Sequence, residues 1–188
     1  HTSGDQFPVG DTVVDLIASD IHGNDTAASF IVTVEDLEDP AVLGTPADIS
    51  LSNDLGDCGA IAGWDAPSAS DNCGVQSLTS SHTSGDFFAV GSTEVTLTAT
   101  DIHGNSASTS FMVNVADTED PSIAGMPADM SLTAEPGLCS AAATWTAPTS
   151  SDNCGIAGLT SSHNSGDSFP VGPTEVTYST TALHGNES

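Results

Sequence analysis

The chain has 188 residues, 26 acidic side chains and no Lys or Arg, which gives a formal net charge of −26. An average chain of this length carries about twenty bases, and phosphate recognition depends on them, so nucleic acid and anionic lipid surfaces are excluded as partners. No apolar run approaches the ~20 residues needed to cross a bilayer, so no membrane insertion is expected. With no base to pair with, each carboxylate must face water, accept backbone hydrogen bonds or bind a cation.

The sequence repeats itself. The stretch "SSHNSGDSFPVG" at 161–172 returns as "SSHTSGDFFAVG" at 80–91 and as "HTSGDQFPVG" from His1. His1, His82 and His163 are separated by a constant 81 residues (82 − 1 and 163 − 82), and Cys58, Trp64, Pro67 and Cys73 recur at that spacing as Cys139, Trp145, Pro148 and Cys154. A fixed period of this length marks a tandem array. It divides the chain into the back part of one repeat (1–37), a complete repeat (38–118) and a repeat without its last strand (119–188). The ends therefore read as a window on a longer array. A neighbouring copy could instead donate 27–37 as the missing strand, but that arrangement carries an overlap of 26 residues (188 − 162), so continuation of the chain is the favoured expectation.

In chain order, "SFIVTV" places Phe30, Val32 and Val34 on one face of a first strand. "ADISLS" opens the complete repeat with Ile49 and Leu51 alternating, and "CGAIAGWD" follows with Cys58 and Trp64 as core candidates. "APSASDNCG" has the composition of a loop. "VQSLTSS" forms a strand with Val75 and Leu78, and "HTSGD" turns. "STEVTLTATD" alternates with period two at Val95, Leu97 and Ala99, "HGNS" turns, and "STSFMVNV" returns with Phe111, Val113 and Val115 inward. The third repeat follows the same order and stops at "HGNES". Short strands with frequent turn signals and no helical period predict an all-β chain of tandem Ig-like β-sandwiches.

Cys58 and Cys73 stand 15 residues apart (73 − 58), as do Cys139 and Cys154 (154 − 139). Such a pair is at most half a zinc site, and no nearby His completes it. A disulfide within each repeat is the expectation, which places the chain outside the reducing cytosol.

"WDAPSASDNCG", "WTAPTSSDNCG", "SGDSFPVGPTEVTY" and "TATDIHGNSASTSFMVNVADTEDP" together resemble the HYR (hyalin repeat) domain over essentially the whole chain. The resemblance implies an Ig-like fold, tandem arrays, an extracellular place in adhesion or matrix, and no catalytic residues. One departure stands out. Many HYR domains carry a second cysteine pair, where this chain has Thr45 and Met126 at one position and Ala28 and Thr109 at the other. Ala182 also replaces the Asp found at Asp20 and Asp101.

Three candidate sites remain. The junctions "VEDLEDP" and "VADTEDP" offer Asp36, Glu38 and Asp39, then Asp117, Glu119 and Asp120, as calcium ligands, since Ca²⁺ takes six to eight oxygens. A solvated acidic linker stiffened by Pro40 or Pro121 is the competing reading. Sequons at Asn24 and Asn186 offer glycan acceptors on turns. The six His fall in turns and read as surface residues. No phosphate loop, organic-cofactor motif or convergent nucleophile and base appears. The expected function is therefore non-enzymatic: an extracellular fibre, stalk or matrix strand whose partners are further repeats or copies of itself, with glycans as a further candidate partner. An adhesin or accessory module binding a carbohydrate or protein ligand is the alternative.

Overall fold

A computed structural model describes residues 1–188, which form sixteen strands and no helix. The N-terminal segment is a hairpin of two ten-residue strands, β1 (Gly10–Ser19) and β2 (Asp25–Val34), paired from Gly10↔Val34 to Ser19↔Asp25. The complete repeat contributes β3 (Ala41–Leu43), β4 (Ile49–Ser52), β5 (Gly59–Ile61), β6 (Ser68–Ser70), β7 (Val75–Ser80), β8 (Phe87–Ala89), β9 (Gly91–Asp101) and β10 (Ser106–Ala116). Its main sheet runs β4-β10-β9-β7, with β4 parallel to β10 and β7 antiparallel to β9, while β3 pairs with β6 and β5 with β8. This is the all-β sandwich expected.

The third repeat contributes β11 (Ser122–Ala124), β12 (Ser140–Ala142), β13 (Thr149–Ser151), β14 (Ile156–Ser161), β15 (Ser168–Pro170) and β16 (Tyr178–Ala182). It repeats three of the pairings, β11 with β13, β12 with β15 and β14 with β16. It has no counterpart of the β4–β10 ladder. Met130 and Leu132, which correspond to the half-buried Ile49 side and Leu51 side of β4, are 49% and 55% exposed.

The chain packs as two compact units that do not follow the repeat boundaries. One holds His1–Thr45, Ala66–Ser81 and Thr96–Ser110, and the other Pro46–Asp65, His82–Val95 and Phe111–Ser188. The eleven-residue strands β9 and β10 pass through both. Each end gathers its own partners, β7 on residues 97–101 of β9 and β4 on residues 113–116 of β10.

Period-two alternation is what buries these strands. Val95, Leu97 and Ala99 are fully buried on β9, and Phe111, Val113 and Val115 are buried on β10. Val75 and Leu78 are three residues apart, which an unbroken strand would place on opposite faces. A register shift between Val75 and Ser77 resolves the conflict, since a bulge adds one residue to one side of a ladder. Trp64 packs edge-on against Phe88 of β8, with ring centroids 6.1 Å apart, and against Phe111 of β10 at 5.2 Å. Its counterpart Trp145 packs on Phe169 at 6.1 Å and donates its indole N–H to the Tyr178 hydroxyl at 2.6 Å.

Two expectations need correction. The "APSASDNCG" stretch is not all loop, because β6 lies within it, paired to β3. Nor does the chain pass from the "HTSGD" turn to β9 without an element between, because Phe87–Ala89 form β8, paired to β5. The turn itself is as expected: Asp86 accepts from the Thr83 backbone N–H and from its hydroxyl, each at 2.7 Å, and Gly85 takes a φ of +98°. These two bonds hold the Asp86 carboxyl below the usual aspartate value of 3.8.

Truncating Leu97 to Ala should destabilise the fold by about 2–5 kcal/mol, whereas Leu55→Ala, on a residue 90% exposed, should stay within about 0.5 kcal/mol; urea unfolding followed by Trp fluorescence measures both. Asp86 has a depressed folded pKa, so its contribution is present above the ordinary aspartate value and is lost as pH falls through the lower folded one. Asp86→Ala should therefore melt below the parent chain near pH 7, and the gap should close below about pH 3.8 in thermal melts run as a pH series.

Candidate functional site

The distinctive motifs converge on the junctions. Where "VEDLEDP" leaves β2, the Asp36 side chain is 3% exposed and sits 2.9 Å from Nδ1 of His103. Oxygen, sulfur and nitrogen atoms of Asp36, Cys73 and His103 lie within 4.8 Å of one another, as do carboxylate oxygens of Asp36, Asp71 and Asp101. Local hydrogen bonds fix each member. Asp71 Oδ1 accepts from the backbone N–H of Cys73 at 2.9 Å and of Gly74 at 3.0 Å, closing the turn of the DNCG motif, with Gly74 at a φ of +120°. Asp101, fully buried, closes the HGN turn by accepting from the N–H groups of His103, Gly104 and Asn105 and from the Asn105 side chain. Burial pushes the Asp101 carboxyl up, but the Asn105 side chain and these backbone donors outweigh it and hold the group below its ordinary value. Asn105 also donates to the Asp36 carbonyl at 3.1 Å. Burial first, then the hydrogen bond to Asp36 and the charges of Asp36, Asp71 and Asp101, push the Cys73 thiol up.

The second junction is built from equivalent residues. Asp117, whose side chain is fully buried, lies 3.8 Å from His184 Nδ1 and shares a cluster with Asp152 and Cys154. The following residues tie back to the loop before β5. Thr118 N–H donates to Asn53 Oδ1 at 2.9 Å, and Glu119 Oε2 accepts from Gly56 N–H at 2.8 Å and from the Asn53 side chain at 3.2 Å. From the third repeat, Asn153 donates to the Asp57 carbonyl at 2.8 Å and Asn186 to the Glu119 carbonyl at 2.6 Å.

The cysteines pair differently from the expectation. Cys58 is bonded to Cys154, and Cys73 and Cys139 are free. The in-repeat pairs Cys58–Cys73 and Cys139–Cys154 are absent: Cys58 and Cys154 belong to the same compact unit and bond each other, which leaves Cys139 of that unit and Cys73 of the other as thiols. Nor is Cys58 a core residue beside Trp64: it is half-buried in the loop before β5. A bridge enclosing a loop of 96 residues restricts the unfolded chain by about 4.7 kcal/mol on the chain-entropy estimate, against about 3 kcal/mol for a fifteen-residue loop.

The junction acids also divide. Asp36 and Asp117 point into the clusters, whereas Glu38, Asp39 and Asp120 are exposed and Glu119 serves as an acceptor for the Asn53–Gly56 loop. Asp71, Asp101 and Asp152, which complete the clusters, were not among the expected ligands. Four buried oxygens have no hydrogen-bond partner, on Asp71, Asp117, Asp152 and Asn153, and all belong to these two junctions. Of the sequons, Asn24 is exposed on its turn, while the Asn186 side-chain nitrogen is committed to Glu119, so a glycan there would displace that bond. His82 and His163 are not simple surface residues: both are half-buried, and their rings pack on Phe88 and Phe169 with centroids 5.1 Å apart.

The HYR domain pattern matches residues 1–34, 35–115 and 116–188, which is the whole chain. The chain belongs to the HYR domain family. It is 38% identical to Hyalin of Lytechinus variegatus over 97% of its own length and 36% of that protein, and 38% identical to Hyalin of Strongylocentrotus purpuratus over 93% of its length and 15% of that protein. It is also 39% identical, over 53% of its length, to the sushi, von Willebrand factor type A, EGF and pentraxin domain-containing protein 1 of Mus musculus, covering 3% of it. The chain thus spans about a third or less of the length of these relatives. No solved structure matches it. Its HYR repeats are non-enzymatic modules of the extracellular adhesion type, and no helix is long and apolar enough to cross a membrane.

Cys154→Ser should lower the stability of the unit that holds the bridge by about 2–5 kcal/mol. Cys139→Ser, on a free and exposed thiol, should stay within about 0.5 kcal/mol, with denaturant unfolding by Trp fluorescence as the readout.

Proposed function

We propose that these repeats form a load-bearing extracellular strand, a fibre, stalk or matrix element, in which rigid sandwiches are joined by junctions that resist bending. What carries this reading is the Cys58–Cys154 bond, which ties the complete repeat to the one after it. The hydrogen bonds of Glu119, Thr118, Asn153 and Asn186 around the same junction support it. The acidic surface keeps neighbouring strands apart by self-repulsion.

The partner in this reading is more of the same repeat. The third repeat has an open cavity of about 710 Å³ lined by Ala128, Met130, Leu132, Phe169 and Val171, among others. Its floor corresponds to β4, which in the complete repeat carries β10 in parallel register from Val113↔Ile49 to Ala116↔Ser52. A strand of the β10 type, from a further repeat or from another copy, has the alternation to fill it.

Calcium is part of the same proposal, with a revised ligand set. Asp36, Asp71 and Asp101 at one junction, and Asp117 and Asp152 at the other, bring their carboxylates together, and the buried oxygens without partners are donors of the kind Ca²⁺ takes. Bound there, the ion would offset charge that no Lys or Arg is present to offset.

Calcium should raise the melting temperature of the oxidised chain by about 5–10 °C when present at a hundredfold excess over its dissociation constant. Asp71→Asn and Asp152→Asn together should remove that shift, and the small-angle scattering curve should change when the bridge is reduced. Melting and scattering curves unmoved by both calcium and reductant would return the junctions to solvated linkers.

A further inference from the structure

The bonded cysteines are 96 residues apart, which is one 81-residue period plus the fifteen residues that separate the two cysteines of a repeat (154 − 73 and 73 − 58). The bond therefore joins the first cysteine of one repeat to the second cysteine of the next. Moved one period along the chain, the same bond begins at Cys139. Moved one period back, it ends at Cys73. Those are the two thiols left free.

The surroundings of each free thiol resemble one half of the closed bridge. Cys139 precedes β12 as Cys58 precedes β5, and it is exposed where Cys58 is half-buried. Asn72, beside Cys73, is exposed, whereas its counterpart Asn153 is half-buried and donates to the carbonyl of Asp57, the residue before the bonded Cys58. A donor and a thiol thus stand side by side at the first junction, in the order that grips a cysteine loop at the second.

We propose that every junction of the array is closed by a disulfide between successive repeats. Cys139 is the open half that takes the second cysteine of a following repeat, and Cys73 is the open half that takes the first cysteine of a preceding one. This rests on the array reading above. The partner is an adjoining repeat of the same array rather than a separate 188-residue copy. A copy placed to make the bond would lay its own residues 1–26 over positions already filled by 163–188. Each repeat is then tied to each neighbour twice, by the peptide backbone and by a sulfur bridge. Forming each bridge removes two protons and two electrons from two thiols. A disulfide of an extracytoplasmic dithiol carrier accepts them and is reduced to two thiols, by exchange through a mixed disulfide.

The test is a chain lengthened by one period, with a second copy of 108–188 joined after Ser188, oxidised in a thiol–disulfide buffer. It is digested without reduction by a protease that cuts at acidic residues, because the chain offers trypsin no site. Peptides linking Cys58 to Cys154, and Cys139 to the appended copy of Cys154, are expected, with Cys73 left alkylatable. A single cut at Glu119 should leave the fragments joined until reductant is added. Peptides linking Cys58 to Cys73 and Cys139 to Cys154 would overturn the proposal. So would a Cys139 that stays alkylatable while the Cys58–Cys154 peptide is present. Scattering from the same sample separates the two claims: a collapsed particle with the cross-repeat peptides intact supports the linkage while counting against the rigid strand.

Discussion

A chain without Lys or Arg has to stabilise its carboxylates with its own amide hydrogens, and that constraint shapes most of its turns. Thr83 and Asp86, Asn164 and Asp167, and Thr2 and Asp5 are three copies of one arrangement, in which a carboxylate accepts the backbone N–H three residues earlier. Asp71 and Asp152 do the same for the residues that follow them, and Asp20 and Asp101 close the HGN turns. Hydrogen bonds to an ionised acceptor are roughly twice as strong as neutral ones. The acids that look like excess charge in the composition are therefore the fasteners of the loops. Where the third repeat loses this device at Ala182, the turn keeps only backbone bonds of the kind the Asp-bearing copies also have, from Ala182 N–H to the Asn186 carbonyl and from Gly185 N–H to the Ala182 carbonyl.

The same supply of donors runs out at the junctions. There the repeat-end carboxylate of Asp36 meets those of Asp71 and Asp101, and that of Asp117 meets Asp152, and some oxygens are buried without a partner. Buried acceptors in this state are costly, so these carboxylates take stability from the fold where the turn carboxylates add to it. The sandwich cores have no such dependence, being built from Val, Leu, Phe and Ala in alternation.

How far the sequence could be read follows from these two kinds of packing. The long strands β9 and β10 were legible because one face of each is apolar at every second residue. The short strands β3, β6 and β8 were not, since three residues are too few for a period and β6 is Ser-Ala-Ser. The cysteine partners were illegible for a different reason. In a perfect repeat, Cys58 sees the same sequence context at Cys73 and at Cys154, so spacing alone does not separate a bond within a repeat from a bond to the next. The junction acids were half legible: Asp36 and Asp117 could be named from their clustering, but Asp71, Asp101 and Asp152 arrive through folding, from loops 35 or more positions away.

The parallel ladder of β4 and β10 has a mechanical consequence. β4 lies near the start of the complete repeat and β10 ends it, and the two run in the same direction along Ile49–Ser52 and residues 113–116. With the Cys58–Cys154 bridge closed, a pull between repeats would pass from β4 through Cys58 into the next repeat; with it reduced, the pull would take β4 by its leading end and β10 by its trailing end and draw the strands past one another lengthwise. The ladder bonds then carry the pull together, as in a lap joint, instead of parting one after another like a zip. A repeat loaded in this way would yield in one step, and the polarity of the ladder along the chain would make that a response to stretching rather than to heat or denaturant.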